Sequence, residues 1–389
     1  MSSKPPFIGE RVPLGELGKM QGGGTPSSKH PEFFTGAIPW IGTTALNGKL
    51  LDESDAVKLI SEEAIEKSAT KLIPANSIMV GTRVGVGKAA INAVPMCTSQ
   101  DVVSIIGIDE SKWNKEFILL TLRYKAPILA AQAQGATITG VTSKALKSIT
   151  IPVLAPERQG EIVFQLRGIE RQIDAVRQEI NRLDSLAKSR FVEMFMTGDF
   201  PVESIGQHAL DIHYGTSEKA DSKGDYIYLR MNNMTDRGTL DLTDTKRISL
   251  GEKALKNCLV KKGDLLFNRT NSREKVGKTC VFQLDEPMVI AGYIIRVRLD
   301  ETVDSNYLAA FMNLSSTKRM LRSIAKGAVH QANINAKQLA AIRLPMPPLS
   351  LQREFAAFAA QVDKSESIAR KQIEKLQMLY DSLAQEYFG

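Results

Sequence analysis

Apolar residues along this chain follow two rhythms. In the first, short apolar runs such as "SIMVGT", "VVSIIGI", "DLLFNRT" and "YIIRVRL" are broken by Gly, Pro and Asn. Runs of that length between turn-forming residues predict short strands. Only two helix-like stretches interrupt them, near 115–129 and 306–324. The second rhythm begins after Pro156, with Ile162, Leu166, Ile169, Ile173, Val176, Ile180 and Leu183. Alternating steps of 4 and 3 give the 3.5-residue period of a left-handed coiled-coil seam.

The second rhythm recurs. "VTSKALKSITIPVLAPERQGEI" at 141–162 aligns with "INAKQLAAIRLPMPPLSLQREF" at 334–355, matching Pro152 to Pro345, Gln159 to Gln352 and Glu161 to Glu354. The offset of 193 holds without a gap to Phe195 and Phe388. It places a second seam at Phe355, Ala359, Val362, Glu366, Ala369, Ile373, Leu376, Tyr380, Leu383 and Tyr387. Glu366 stands where the first copy has Ile173, and is read as a contact with another subunit. Pro156 suits a first helical turn, Ser350 an N-cap, and Gly198 the residue beyond a C-terminus. Upstream, "QGATITG" resembles "KGAVHQA", and "AIPWIGTTALNGKL" resembles "YIYLRMNNMTDRGTL". The expected fold is therefore α+β: two tandem, pseudo-symmetric units, each a strand-rich domain followed by a long helix, with the helices paired as an antiparallel coiled coil. The boundaries are 1–155 and 198–348 for the domains, 156–197 and 349–389 for the helices.

Composition narrows the partners more than the fold. The 389 residues carry a net charge of +7, which favours a polyanion. Three widely spaced cysteines, Cys97, Cys258 and Cys280, form neither a disulfide framework nor a zinc motif, and suit a reducing, cytoplasmic setting. His30, His208 and His213 lack ligand spacing, so no metal is expected. The N-terminus has no apolar signal region, and no apolar run reaches membrane-spanning length.

One motif points elsewhere. Gly277-Lys278-Thr279 ends like a phosphate-binding loop, but the first glycine of that motif is replaced by Ser272, followed by Arg273, Glu274 and Lys275. The related Gly87-Lys88-Ala89 lacks the magnesium-binding hydroxyl. A strand, a basic loop and a second strand fit better. No methyltransferase, nuclease or triad motif is present in the sequence.

The ordered set "GGGTPS", "IPWIGTTALNGKL", "IPANSIMVGTRVGVGK", "HYGTSEKA", "GDLLFNRTNSREKVGKTCVF", "AGYIIRVR" and "ANINAKQLAAIRLPMPPLSLQREF" resembles the specificity subunit of type I restriction–modification enzymes over nearly the whole chain. The resemblance implies two DNA target-recognition domains joined by conserved spacer helices. It implies binding to double-stranded DNA at a bipartite site, in complex with two methyltransferase subunits and with restriction/translocase subunits. S-adenosylmethionine, ATP and magnesium would be bound by those partners, and this chain would hold no cofactor and perform no catalysis. Two alternatives stay open: a coiled-coil scaffold that binds protein only, and a nucleotide-binding enzyme built on 277–279.

Base reading needs polar side chains that reach groove edges, while phosphate contacts supply salt-sensitive affinity. The loop-borne candidates in the first unit are Thr43, Thr44, Asn47, Thr82, Arg83, Lys88, Gln134, Thr137 and Thr139. In the second they are Tyr214, Thr216, Ser217, Arg230, Asn232, Asn233, Asn268, Arg269, Thr270, Asn271, Ser272, Arg273, His330, Gln331 and Asn333. Arg83 and Arg269 stand out, because each follows an apolar strand in what reads as a corresponding place. Gly22, Gly23 and Gly24 offer backbone that could approach a phosphate.

Overall fold

The computed structural model describes residues 6–131, 140–328 and 331–389. Candidates Gln134, Thr137, Thr139 and His330 lie outside the described residues. The chain forms two compact units, one made of Met1–Arg177 with Lys371–Gly389 and the other of Gln178–Arg370.

In the first unit, a five-stranded sheet runs in the order Lys19–Gly22, Val102–Ile106, Ile78–Gly81, Ala89–Asn92, Leu50–Leu51. A four-stranded sheet, ordered Lys58–Ile60, Ile38–Ile41, Met96–Thr98, Leu72–Ile73, contains one parallel pair, in which Trp40 faces Cys97. The run "SIMV" is apolar without alternation because the strand is buried on both faces. Ile78 and Val80 pack toward the helix Lys115–Ala131, while Met79 joins Ile41, Leu51 and Met96 on the opposite face.

The second unit repeats this plan. One four-stranded sheet runs Ala209–Tyr214, Ile294–Leu299, Leu265–Asn268, Thr279–Val281. Another runs Lys246–Ile248, Tyr226–Leu229, Met288–Ile290, Leu259–Val260, again with one parallel pair, in which Tyr228 faces Val289. Leu265 and Phe267 face the helical core and Leu266 the opposite one. The helical layer is split into Ser305–Asn313 and Ser315–Ile324, since Leu314 adopts an extended ψ of 145° between them.

Both long helices are present, Pro156–Phe191 and Leu349–Phe388. Pro156 opens the first helix as expected, but Ser350 lies inside the second, which starts one residue earlier. In the first unit, the start of the first helix meets the end of the second: the Tyr387 hydroxyl donates to Gln165 Oε1 at 2.8 Å, and Ile162, Leu166, Tyr387 and Phe388 share one core. In the second unit, the end of the first helix meets the start of the second: the Phe191 and Phe355 rings lie 5.1 Å apart, edge to face. The pairing is therefore antiparallel within each unit. Ile162, Leu166, Ile169, Ile173, Val176 and Ile180 are buried, as are Phe355, Val362, Ala369 and Tyr387. Leu183, Ala359, Ile373, Leu376, Tyr380 and Leu383 are half-buried. The seam also widens at its end, where Ala384 and Phe388 are buried beside Tyr387, because there the helix covers a globular core as well as its partner helix. Glu366 is not left for another subunit: it accepts from Arg237 at 3.0 Å and pairs with Arg370 at 3.3 Å, both in its own unit.

The matched glutamines have one job in both units. Gln159 Nε2 donates to the Lys112 and Leu154 carbonyls, and its Oε1 accepts from Asn114 N. Gln352 Nε2 donates to the Thr302 and Pro347 carbonyls, and its Oε1 accepts from Asp304 N. Asn114 and Asp304 in turn accept from the first N–H groups of the domain helices. Both glutamines are fully buried, and each amide ties the start of a long helix to its domain through three bonds. Gln159→Leu or Gln352→Leu removes the partner of three backbone groups at a part-buried joint and is expected to lower stability by about 1–3 kcal/mol. The equally repeated but exposed Glu161 and Glu354 should tolerate Ala within about 0.5 kcal/mol. Thermal unfolding of the full chain checks this; equal effects at both pairs would contradict the glutamine joint.

Candidate nucleic-acid interface

The candidate residues of the second unit gather around one hairpin, between the strands Leu265–Asn268 and Thr279–Val281. Asn268 N donates to Lys278 O and Gly277 N to Asn268 O, closing the hairpin, and Gly277 supplies the positive φ of +85° that the turn needs. The nucleotide-loop reading of 277–279 fails on these bonds. The Gly277 N–H is already used, and the buried Thr279 hydroxyl donates back to the Gly277 carbonyl at 3.1 Å. A phosphate cradle needs those groups free.

Inside the hairpin, Thr270–Asn271 pairs with Gln331–Asn333, which pairs in turn with Lys326–Ala328. This small sheet brings together residues far apart in sequence. The Arg269 guanidinium lies 4.7 Å from the Tyr214 ring centroid, donates from Nη2 to Asn333 Oδ1 at 3.1 Å, and from Nη1 to Gly292 O at 3.4 Å. Asn333 Nδ2 donates to the Thr270 hydroxyl at 2.9 Å, and Ala336 N donates to the Tyr214 hydroxyl at 2.8 Å. An arginine stacked on an aromatic ring and held at two nitrogens keeps unused N–H donors in a fixed plane. That is the preorganisation a contact to guanine O6/N7 or to a phosphate requires. Gln331 and Arg273 are exposed beside it; Arg273 Nη2 donates to Ala325 O at 3.3 Å.

Several candidates turn inward instead. Asn268 is fully buried and donates to the Thr270 and Tyr293 carbonyls, while its Oδ1 accepts from Asn271. Buried Asn233 donates to the Asp241 and Asp244 carbonyls, so it shapes its loop. Arg230 and Asn232 point at the Asp244 carboxylate, at 3.0 and 3.3 Å. Thr216 accepts on its hydroxyl from Glu218 N, and its carbonyl accepts from Gly292 N. Ser217 is exposed, and the half-buried Ser272 uses its carbonyl to accept from Lys275 N and Val276 N.

In the first unit the equivalent hairpin joins Ile78–Gly81 to Ala89–Asn92. Arg83 is exposed and faces Asp101 at 3.4 Å, with exposed Lys88 on the same hairpin. Hydrogen bonds correct the matching of the two arginines by one residue. Thr82 N donates to Asp101 O and Thr82 O accepts from Val141; Arg269 N donates to Tyr293 O and Arg269 O accepts from Ile334. Thr82, not Arg83, is the counterpart of Arg269. Thr43 and Thr82 are buried, while Thr44 and Asn47 are exposed on the loop that follows Ile38–Ile41. Gly23 and Gly24 do not serve a phosphate: a Cβ on either would fall within 2.5 Å of backbone at Thr98–Ser99 or Ala69. They are small because other backbone closes over them, the end of the strand Met96–Thr98 at Gly23 and the bend at Ala69 at Gly24. The carboxylates Asp101 and Asp244, which position Arg83 and Arg230, carried no signal in the sequence, since a lone Asp in a loop resembles any turn residue.

Among the described residues no helix is long and apolar enough to cross a membrane. The family described as the type I restriction modification DNA specificity domain matches residues 10–185 and 214–378. The EcoR124I/EcoR124II specificity subunit of Escherichia coli is 33% identical over 183 residues, covering 46% of this chain and 45% of that protein. The MjaIX specificity subunit of Methanocaldococcus jannaschii is 27% identical over 182 residues, covering 46% and 42%. The chain thus spans less than half the length of these two relatives. The MjaVIII specificity subunit of the same archaeon is 22% identical across 95% of this chain and 89% of its own. Among solved structures, the S subunit of a type I restriction-modification system from M. genitalium covers 99% of both chains with a TM-score of 0.56 at 13% identity. A chain from work on complex assembly and conformational transition of the type I R-M system reaches 0.62 at 18% identity, covering 100% of this chain and 99% of that one. These two likenesses show the fold; the domain matches, which take in both units, show that this chain belongs to the type I restriction–modification DNA specificity family.

Proposed function

We propose that the chain is the DNA-recognition subunit of a type I restriction–modification complex. It binds a bipartite target and directs adenine-N6 methylation or cleavage by its partners. The observation that carries this reading is the duplicated hairpin: each unit presents a polar, basic loop at the same place on the same sheet, built from different side chains. Two such units suit two short, different half-sites, as tandem equivalent domains do in dimeric DNA readers. The chain itself acts without catalysis and without a cofactor of its own. Two methyltransferase subunits would bring S-adenosylmethionine, and restriction/translocase subunits would bring ATP and magnesium, all in the cytoplasm. The long helices would space the recognition units and dock the methyltransferase subunits.

Arg269→Ala is expected to relax recognition in one half-site, by about 1–3 kcal/mol, and to leave the other half-site unchanged. Tyr214→Leu, which removes the stacking surface, should shift the same half-site by less. Site selection from random duplexes reads both; equal relaxation of the two halves would show that the units do not read DNA separately.

The gap between half-sites should follow helix length. Inserting one heptad into each long helix keeps the seam in register and adds roughly 10 Å, about three base pairs. Sites selected by this variant should keep their specific bases and gain that gap. Retention of the original spacing would contradict the ruler.

A further inference from the structure

The turn end of the second unit's hairpin opens onto a pocket of about 480 Å³ that neither the family match nor the residues above assign. Six cations line it: Lys188, Lys275, Lys278, Lys318, Arg319 and Arg322. Two of them are already neutralised, Lys278 by Asp236 at 2.9 Å and Lys188 by Asp184 at 2.7 Å. Among the described residues, Lys275, Lys318, Arg319 and Arg322 make no ion pair within 4.0 Å; the lining carboxylates are Glu274 and Asp236, and Asp236, paired with Lys278, also attracts Lys275 and Lys318. Lys318 is held deep, donating to the Gly277 carbonyl beneath the turn. Burial presses its amine down to about 8 against the opposing pull of Asp236, and Arg322, Lys278 and Lys188 add to the fall.

Three exposed cations around the half-buried amine of Lys318 give the pocket a strongly positive field, which a bound anion would offset. The first unit shows the closed alternative. There the hairpin glycine Gly87 packs on Ala126 of the helix, and the nearby Arg123 and Arg167 are satisfied by Glu170 and Glu116. The second unit has the same hairpin glycine, Gly277, packed on Leu321, but leaves its cations open.

We propose that this pocket takes a phosphate of the DNA backbone, with Lys318 at its floor and Lys275, Arg319 and Arg322 around its rim. The proposal rests on the DNA-recognition reading and adds to it a fixed phosphate anchor in the second unit only. Its support is continuity along the loop. Lys275 N and Val276 N both donate to Ser272 O, so the pocket wall turns directly out of the segment that carries Arg269, Asn271 and Arg273. The six residues from Arg269 to Lys275 would span no more than about 22 Å fully extended, and this stretch turns back on itself, so it spans less, within reach of the nucleotides next to a base read by Arg269. A free phosphate offers the same chemistry, so the test separates the two sources.

The test uses the full-length chain, alone and co-expressed with a methyltransferase subunit. Affinity for a duplex carrying the selected site and for a shuffled duplex is measured by anisotropy across salt. Lys318→Met, and separately the surface pair Lys275→Gln with Arg322→Gln, should weaken binding to both duplexes by the same factor. The slope of log affinity against log salt should shrink by about 0.9 per lost contact, roughly a threefold loss of salt response between about 50 and 200 mM for each. The preference for the selected site should not change. If Lys318→Met unfolds the chain, the surface pair decides alone. An unchanged slope in a folded surface-pair variant overturns the proposal. So does inorganic phosphate or ATP that stabilises the wild type without being displaced by duplex, or loss of the methyltransferase subunit with an unchanged slope, which would mark an acidic protein segment as the occupant. Failure of the wild type to discriminate the two duplexes would instead overturn the recognition reading beneath it.

Discussion

The architecture depends on how each long helix leaves its domain, and a single buried amide settles that. Gln159 and Gln352 each bridge three backbone groups: two carbonyls and the N–H of the residue that caps the domain helix. A buried amide satisfied on both ends is worth keeping only in one geometry, because any rotation of the helix leaves donors and acceptors unpaired in a dry site. The helix therefore cannot swivel freely against the sheet. If the chain reads DNA as proposed, its loops must stand at defined places along the duplex, and that rigidity matters more than the modest net energy of the bonds.

The helices serve two masters, and their side chains record it. Along Ile162 to Ile180 the buried residues keep heptad spacing, as two packed helices require. At the ends the stripe broadens to include Phe195 in one unit and Ala384 and Phe388 in the other, where aromatic rings complete the domain cores. Phe191, Phe195, Tyr307 and Phe355 form one edge-to-face and stacked cluster, so helix pairing and domain folding are one event in that unit. Glu366 shows the cost of departing from the seam. Arg237 of its own unit reaches it and supplies the countercharge that the seam does not.

Much of this was legible in the sequence, for identifiable reasons. The repeat, the seam and the strands buried on both faces are carried by apolar residues, whose spacing has little freedom once packed. The polar residues were harder to read. Asn268 and Asn333 look alike in sequence, yet one is sealed under the hairpin and the other holds Arg269. The difference is set by partners distant along the chain: Tyr293 for Asn268, Arg269 itself for Asn333. Gly23 and Gly24 are ambiguous in the sequence for the same reason, since close backbone packing and phosphate approach both call for a missing side chain. The one-residue slip between Arg83 and Arg269 came from loops of different composition and became visible only through the backbone bonds of Thr82. Lys318 was invisible, standing 41 residues from the carbonyl it serves.

On the proposed reading, two units of one chain read two separate halves of a DNA site for an enzyme that this chain does not itself contain. That reading is tested most directly by mapping adenine-N6 methylation across the genome of a host that expresses this chain with a methyltransferase subunit, against the same host lacking the chain. Methylation is expected only when the chain is present, at one motif of two short specific parts separated by a fixed run of unspecified bases. Methylation at a continuous motif, or a pattern unchanged when the chain is removed, would contradict it.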